Sequence, residues 1–181
     1  MSWLDDAKRV DVAVYAAIAA TPTPTLDRAM SRLSRAANYS RLSIASAGVL
    51  ALAGGSAGRR AATMGLAAVA ATSAAVNIVV KPLGMRRRPD RVGEDVPIAR
   101  YVPMPASSSF PSGHAAAAFA FATGVGYTLP AAAAPLRGLA ALVAYSRVHT
   151  GVHYPGDVVV GSLLGAGIAQ TTSWAIERQL G

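Results

Sequence analysis

The chain has 181 residues, with 17 Lys and Arg against 9 Asp and Glu, a formal net charge of +8 and no cysteine. Without cysteine there is no disulfide framework, no thiolate metal site and no cysteine nucleophile. Charged residues make up only 14% of the chain and hydrophobic residues 52%. Since about 25% charged residues is usual in soluble domains, the composition argues against an ordinary soluble globule.

The first 41 residues differ from the rest of the chain. A short apolar run over residues 10–20 is stopped by Thr21-Pro22-Thr23-Pro24, and residues 26–35 then alternate apolar and basic positions in a helical rhythm. This pattern predicts two short amphipathic helices that lie at a membrane surface. The predicted organisation is an interfacial segment over residues 1–41 and a transmembrane domain over residues 42–181.

Five stretches of the remaining chain carry few or no charges and approach the roughly 20 residues that a helix needs to cross a bilayer. They cover residues 42–58, 61–80, 111–129, 131–148 and 158–176, with Pro130 separating the third from the fourth. We therefore predict an all-α, polytopic membrane bundle of five to six spans, with the N-terminal segment as the candidate sixth. The alternative is a soluble all-α protein whose alanine-rich core helices mimic membrane spans.

Glycines recur in these runs at spacings that suit close helix contact. Gly161 and Gly165 form a GxxxG pair, and Gly65 and Gly167 are further small positions. Small residues at such spacings let helix backbones approach closely in lipid. The pattern leaves open whether these helices pack within one chain or between the chains of a homo-oligomer.

The remaining polar residues form three clusters at the ends of the predicted spans. The first runs from Lys81 to Arg88-Pro89, the second is Pro111-Ser112-Gly113-His114, and the third comprises Ser146-Arg147, His153 and Asp157. The chain is expected to leave the membrane after the second span and re-enter at the third, and to leave again after the fourth and re-enter at the fifth. All three clusters then lie on one face of the membrane. We therefore expect them to form one site.

The residue types in the three clusters suit a phosphoryl group. Lys81, Arg88 and Arg147 supply cations, and the forked guanidinium donors match phosphoryl oxygens. Ser112 and Gly113 begin a predicted helix, where free backbone N–H groups favour an anion. Histidine and aspartate without further carboxylates suit Mg²⁺ poorly, so neither a metal nor a cofactor is expected.

Two histidines suit two different steps of phosphate hydrolysis. His153 and Asp157 are four residues apart at a predicted helix start, so the carboxylate can hold one ring nitrogen while the other attacks phosphorus. His114 lies in another cluster and can protonate the leaving alkoxide and later deprotonate water.

Each of these residues also has a plainer explanation, as a membrane anchor, a helix cap or a structural hydrogen bonder. Those explanations do not account for two histidines, an aspartate, a lysine and two arginines at ordered spacings on one membrane face. We assign His149 a structural role, and we expect Arg86 and Arg91 to contact the surface or lipid headgroups. The loop over residues 92–110 is expected to form a wall of the substrate site.

The three clusters resemble the signature of the type 2 phosphatidic acid phosphatase family, whose superfamily also holds vanadium haloperoxidases and bacterial acid phosphatases. All the signature positions match, over residues 81–157. The resemblance implies a helical, metal-independent phosphomonoester or diphosphate hydrolase, with His153 as nucleophile, Asp157 as its partner and His114 as acid and base. It also implies a phosphate site formed by Lys81, Arg88, Ser112, Gly113 and Arg147.

A site at span ends suits an amphiphile whose tail stays in lipid, so a lipid phosphate is the expected substrate. Phosphatidate, phosphatidylglycerophosphate and polyprenyl-linked phosphates are the candidates. The last group includes decaprenylphosphoryl-phosphoribose phosphate, because the sequence resembles small actinobacterial members of the family. The Lys and Arg bias leans towards a cytoplasmic site in the cell membrane.

Other function classes compete with lipid phosphate hydrolysis. A non-catalytic phospholipid-binding protein and a vanadate-dependent haloperoxidase would share the same cradle. A nucleic-acid partner is not expected, because the basic residues are spread along interfacial segments and aromatic residues, at 6%, are too few for base stacking.

Overall fold

The computed structural model describes residues 2–180, and every regular element in that part of the chain is helical. The prediction of an all-α fold is therefore confirmed. The α-helices are α1 (Trp3–Ala20), α2 (Pro24–Ala36), α3 (Arg41–Ala53), α4 (Gly55–Ala74), α5 (Lys81–Leu83), α6 (Gly113–Thr128), α7 (Ala133–His149) and α8 (Pro155–Leu180). The break between α6 and α7 falls at Pro130, as predicted.

Helix α1 begins earlier than the sequence pattern indicated. A capping box starts it at Trp3, since the Ser2 hydroxyl accepts from the Asp5 N–H and the Asp5 carboxylate accepts from the Ser2 N–H. Its apolar face packs Tyr15 and Ala19 into a core cluster with Val148 of α7. The N-terminal helices are thus part of the helical assembly that carries the three clusters.

A buried ionic cluster fastens α2 to the rest of the fold. The Asp27 carboxylate accepts hydrogen bonds from Arg100 Nε at 2.7 Å and from His149 Nε2 at 2.9 Å. Arg100 is fully buried and also donates to the Thr21 carbonyl just after α1. His149 is therefore engaged within the fold, which agrees with its predicted structural role.

The boundary between the first two predicted spans was wrong. The pair Arg59-Arg60 was expected to separate them, but the chain turns at Gly54-Gly55 and both arginines lie inside α4. Gly55 has a φ of +60°, a left-handed conformation that glycine adopts without steric strain. Arg60 is accommodated in the helix by an ion pair with Glu177 of α8 at 3.0 Å.

Two helices of the described chain are long and apolar enough to cross a membrane. One runs from Gly55 to Leu83 as α4, a π-helical stretch over Ala75–Val80 and α5, and the other covers Pro155–Gln179. Helices α3, α6 and α7 have 13, 16 and 17 residues, below the roughly 20 that a span requires. The count of five to six spans therefore stays a prediction.

Helices α6 and α8 touch through their backbones at the GxxxG pair. A Cβ added to Gly161 would lie 2.5 Å from the Ser112 carbonyl oxygen, and one added to Gly165 would collide with the Ala116 carbonyl. This contact joins two helices of the same chain. The close approach brings the first turn of α8, with Asp157, beside the first turn of α6, with His114.

The other two glycines singled out from the sequence behave differently from each other. A Cβ on Gly65 of α4 would lie 2.7 Å from the side chain of Val125 in α6, so this glycine permits close packing. Gly167 has no other atom within 4 Å of such a Cβ. The prediction of close helix contact was wrong for Gly167, because this face of α8 has no neighbour among the described residues.

Candidate active site

The three sequence clusters meet at one end of the helical assembly. Arg88 donates to the Val152 carbonyl at 2.9 Å, which joins the first cluster to the third. The Ser112 N–H donates to the Asp157 carbonyl at 2.9 Å, which joins the second to the third. A Cβ on Gly113 would lie 3.6 Å from Lys81 Nζ. The three clusters therefore lie together in the structure, and their role as one phosphate site stays a prediction.

His153 lies just before α8 and is held on one ring nitrogen. Its Nδ1 is 3.6 Å from Asp157 Oδ2 and 3.5 Å from the Ser109 hydroxyl. Asp157 sits in the first turn of α8, where the same oxygen accepts from Ser109 Oγ at 2.5 Å and from the Tyr154 N–H at 3.0 Å. The carboxylate is therefore fixed, and it orients the imidazole.

The second ring nitrogen of His153 faces the cationic side of the site. Its Nε2 is 3.3 Å from Arg88 Nη1. Burial, together with the nearby charges of Arg88 and Arg147, lowers the pKa of His153 to about 4, although the hydrogen bond to Asp157 raises it in part. The ring is therefore neutral at pH 7. With the proton on Nδ1 towards Asp157, the Nε2 lone pair faces Arg88 and accepts a hydrogen bond from its Nη1.

The Arg88 guanidinium is held in a fixed plane by backbone carbonyls. Besides Val152, it donates from Nε to the Ser107 carbonyl at 3.0 Å and from Nη2 to the Ser108 carbonyl at 3.1 Å. Lys81 Nζ reaches the Ser107 hydroxyl at 3.3 Å. The serine run before the second cluster thus positions both cations of the first cluster.

Arg147 lies in the last turn of α7 and is 1% exposed. Its Nη1 donates to the Ser34 hydroxyl of α2 at 2.5 Å, and its carbonyl accepts from the His153 N–H at 3.1 Å. Its Nε is buried without a hydrogen-bond partner among residues 2–180. The guanidinium therefore keeps an unused donor in the interior of the site.

The second cluster begins α6. Ser112 is fully buried, and its hydroxyl oxygen accepts from the Ala115 N–H at 3.5 Å, so it caps the helix and retains its own proton for donation. His114 lies in the first turn, with Nε2 3.0 Å from the amide oxygen of Asn38. An amide oxygen only accepts hydrogen bonds, so this contact places the His114 proton on Nε2.

Arg86 is joined to the catalytic carboxylate, contrary to expectation. It donates to Asp157 Oδ1 at 2.8 Å and to Asp11 of α1 at 2.6 Å, and its guanidinium lies 4.1 Å from the Tyr154 ring centre. Asp11 also accepts from the Gly156 N–H at 2.6 Å. The predicted headgroup role of Arg86 was wrong, because its carboxylate partners lie inside the fold.

Arg91 is also a buried structural residue. It is 8% exposed and donates to the carbonyls of Gly151 at 3.3 Å and Val102 at 2.9 Å. The prediction of a surface or headgroup contact was wrong here too. The arginine instead ties the loop after α5 to the turn that carries His153.

A family model described as the PAP2 superfamily matches residues 62–180. The chain belongs to the PAP2 superfamily. The match covers both histidines and the cationic residues of the site, and it begins after α1, α2 and α3.

Curated relatives of this PAP2 chain are mycobacterial. A decaprenylphosphoryl-5-phosphoribose phosphatase of Mycobacterium tuberculosis is 41% identical over 96 residues, which cover 51% of this chain and 49% of that protein. The chain therefore spans about half the length of this relative. The protein of the same name from Mycolicibacterium smegmatis is 36% identical over 156 residues, covering 83% of this chain and 78% of its own length.

Two solved structures resemble this PAP2 chain. Aquifex aeolicus LpxE superposes with a TM-score of 0.71 at 25% identity, covering 89% of this chain and 93% of its own. The PAP2 type phosphatidylglycerolphosphate phosphatase from Bacillus subtilis gives a TM-score of 0.70 at 23% identity, covering 96% and 87%. At 23% identity, the similarity to the second structure supports the fold alone.

Several partners of the PAP2 site were missed from the sequence. Ser109 is the nearest hydroxyl to Asp157, and the run Ser107-Ser108-Ser109 directly before the second cluster was a visible signal. Asp11, Ser34 and Asn38 had no such signal, because they lie before the family motifs and reach the site only through the packing of α1 and α2.

The loop over residues 92–110 divides between core and surface. Val96 and Val102 are buried, and Ile98 is 83% exposed. Only the exposed part of this apolar set can therefore contact a substrate, and the expectation that the loop forms a wall of the site stays a prediction. Its serines line the site.

Proposed function

We propose that this PAP2 chain is an integral-membrane phosphatase that removes a terminal phosphate from a lipid through a phosphohistidine on His153. The observation that carries the proposal is the position of the His153 ring, whose Nδ1 lies 3.6 Å from Asp157 Oδ2 and whose Nε2 lies 3.3 Å from Arg88 Nη1. A cation beside the attacking nitrogen draws a phosphoryl group to it, and the phosphoryl oxygens then replace Nε2 as the partner of Arg88.

In the first step, His153 Nε2 attacks phosphorus and the bond from phosphorus to the leaving oxygen breaks. His114, protonated on both ring nitrogens beside the bound phosphate dianion, gives its Nε2 proton to that oxygen, which leaves as an alcohol. Asp157 stabilises the positive charge on the phosphorylated ring through Nδ1. Lys81, Arg88 and Arg147, with Ser112 and the backbone at Gly113, hold the three phosphoryl oxygens.

In the second step, water attacks phosphorus and the P–N bond breaks. His114, now neutral at Nε2, takes the proton from the water. Inorganic phosphate leaves, and both histidines return to their starting protonation states. The charge is neutralised throughout by side chains of the protein, so the proposal includes no metal and no cofactor.

The names of the relatives indicate the substrate. The Mycolicibacterium smegmatis relative, which aligns over most of both chains, is named a decaprenylphosphoryl-5-phosphoribose phosphatase. We therefore place a polyprenyl-linked sugar phosphate ahead of phosphatidate and phosphatidylglycerophosphate. A non-catalytic phospholipid-binding protein is the alternative, and a homo-oligomer is compatible with either.

The multi-pass topology and a cytoplasmic site remain part of this proposal. They rest on the predicted spans and on the excess of Lys and Arg near the site. Because the chain has no cysteine, a single-cysteine variant reports the side directly. Met85→Cys places the thiol beside the first cluster at a side chain that is 92% exposed. A membrane-impermeant maleimide should label it in inverted vesicles and not in intact cells.

Phosphate release by the detergent-purified protein in EDTA tests the chemistry. We expect release from the lipid-linked sugar phosphate, its loss in His153→Ala, and radiolabel retained on the protein when a ³²P-labelled substrate is quenched in alkali. Activity that survives in His153→Ala would exclude the mechanism. Loss of activity in EDTA and its recovery on addition of Mg²⁺ would show metal-dependent hydrolysis and contradict the mechanism.

A further inference from the structure

A cavity of about 230 Å³ adjoins the phosphate-binding groups and extends between α3, α4 and α6. Lys81, Gly113 and His114 form part of its wall, so a group bound in the cavity would be continuous with a phosphate held in the site. One water molecule needs about 10–15 Å³ of such space. The cavity therefore has room for a substantial part of a substrate.

Three hydroxyl groups lie in the cavity wall, those of Ser43 of α3 and of Thr72 and Ser73 of α4. The Thr72 hydroxyl is buried and has no hydrogen-bond partner within residues 2–180. By contrast, the hydroxyls of Thr63 and Ser162 donate to carbonyls of their own helices. A buried hydroxyl without a partner destabilises a fold, so the unpaired Thr72 hydroxyl beside two further hydroxyls indicates a bound molecule that pairs with them.

Asn77 adds an amide to the same wall. It lies in the π-helical stretch Ala75–Val80, and its Nδ2 donates to the Ser73 carbonyl at 2.9 Å, which leaves Oδ1 as a free acceptor. Isolated π-helical turns occur frequently at functional sites. This one lies directly before Lys81, so the phosphate-binding lysine and the amide acceptor are carried on one continuous helix.

The charge of the cavity restricts what it can hold. Its wall, as far as the structure describes it, includes no carboxylate, and its ionisable groups besides Tyr39 are Lys81 and His114 of the site itself. A second phosphate buried there would have no cation of its own, which is unfavourable. A neutral group that both donates and accepts hydrogen bonds would pair with the three hydroxyls and the Asn77 oxygen.

We propose that this cavity binds a neutral polyol that links the terminal phosphate to the rest of the lipid, with Ser43, Ser73 and Asn77 determining specificity. The inference rests on the proposed function and narrows the class of its substrate. Lipid phosphates with free hydroxyls beside the scissile phosphate are preferred. Prenyl monophosphates and diphosphates, which lack such hydroxyls, are poor substrates.

A matched pair of substrates tests the cavity. One is a prenylphosphoryl pentose phosphate, and the other has the sugar replaced by an unsubstituted five-carbon linker. For the wild-type protein we expect kcat/KM to fall at least tenfold on the second lipid. The double variant Ser73→Ala/Asn77→Leu should lose at least tenfold on the sugar lipid and change less than twofold on the linker lipid. Thr63→Ala, on the outer face of the same helix, is the control and should match the wild type on both.

Two outcomes of this comparison would overturn the inference. One is equal kcat/KM for both lipids in the wild-type protein. The other is an equal loss on both lipids in the double variant, which would assign Ser73 and Asn77 a structural role only.

A binding measurement separates this inference from the proposed function. In detergent, glycerol 3-phosphate should raise the Tm of the wild-type protein more than n-propyl phosphate does, and the difference should vanish in the double variant. If no lipid is hydrolysed, the proposed function fails and this Tm difference alone decides the inference. Equal shifts with the two probes would overturn it whatever the activity.

Discussion

Arg86 donates a hydrogen bond to Asp157 at Oδ1, the carboxylate oxygen opposite the one that faces His153. Its other terminal nitrogen binds Asp11 of α1. The orientation of the proposed nucleophile, His153, therefore depends on a chain of contacts that begins outside the family motifs. Arg86 and Asp11 act through Asp157, so we expect them to be positioning residues.

Substitution of Arg86 or Asp11 should lower kcat and leave KM nearly unchanged. We expect Arg86→Gln to reduce kcat by about 10- to 100-fold, because small misplacements of a catalytic group have effects of that size. Asp11→Asn should reduce it by about tenfold, and the double variant should lose less than the product of the two, since the residues form one unit. Steady-state kinetics on the lipid substrate measures this. Arg87→Gln, at an exposed neighbour, should behave as wild type. A rise in KM without a fall in kcat would instead place Arg86 at the phosphate.

The low pKa of His153 should be visible by NMR. Burial, Arg88 and Arg147 bring the pKa to about 4, so the ring should stay neutral as the pH falls from 8 to about 5 and gain its proton only below that. ¹⁵N shifts of labelled histidine, assigned with His153→Ala, measure the midpoint. Since the Asp157 hydrogen bond raises this pKa and Arg88 lowers it, the midpoint should fall in Asp157→Asn and rise in Arg88→Gln. A midpoint near 6.5 in the wild type would contradict the buried, cation-facing position of the ring.

The contact between His114 and Asn38 predicts a dependence on the leaving group. Asn38→Leu removes the acceptor that holds the His114 proton at Nε2, so protonation of a poor leaving group should slow about tenfold. A good leaving group needs little protonation, and the first turnover of p-nitrophenyl phosphate should change less than threefold. Rapid-quench measurement of the first turnover on both substrates checks this. An equal loss on both would show that Asn38 supports the fold or the phosphate site and not the acid.

The glycines of α8 should respond differently to alanine. Gly165→Ala places a methyl against the Ala116 carbonyl and Gly161→Ala one against Ser112, and we expect each to destabilise the fold by about 1–3 kcal/mol, as overpacking does. Gly167→Ala meets no atom within 4 Å and should be neutral or stabilise by up to about 1 kcal/mol through helix propensity. Thermal unfolding in detergent measures all three. Equal losses at Gly161 and Gly167 would exclude the backbone contact.

The sequence alone was sufficient to predict the candidate site residues that lie within the motifs. A fixed spacing places His153 four residues before Asp157 at the start of α8, and the alternation of spans brings Lys81 and Gly113 to the same end. Such relationships depend only on sequence spacing or on the number of spans between two residues, and both can be read from the sequence. The same is true of the break at Pro130, because proline cannot continue the hydrogen bonding of a helix.

The residues that support the motifs could not be identified in this way. Whether Arg86 meets lipid or Asp157 depends on where Asp11 lies, and Asp11 is positioned by the packing of α1 against the distant helices. The turn at Gly54-Gly55 was missed because the adjacent arginines looked like a membrane boundary, while the ion pair between Arg60 and Glu177 that accommodates one of them is a long-range contact.

The backbone contact between α6 and α8 also bears on which part of the site can move. Helices that touch through carbonyls and glycines cannot slide past one another without a collision, so the relative positions of His114 and Asp157 are fixed. Helix α3 is different, since it has 13 residues, of which only Ser43 and Ala47 are buried. Of the helices that line the cavity beside His114, α3 therefore has the fewest buried residues, so we expect any widening of that cavity to come from movement of α3.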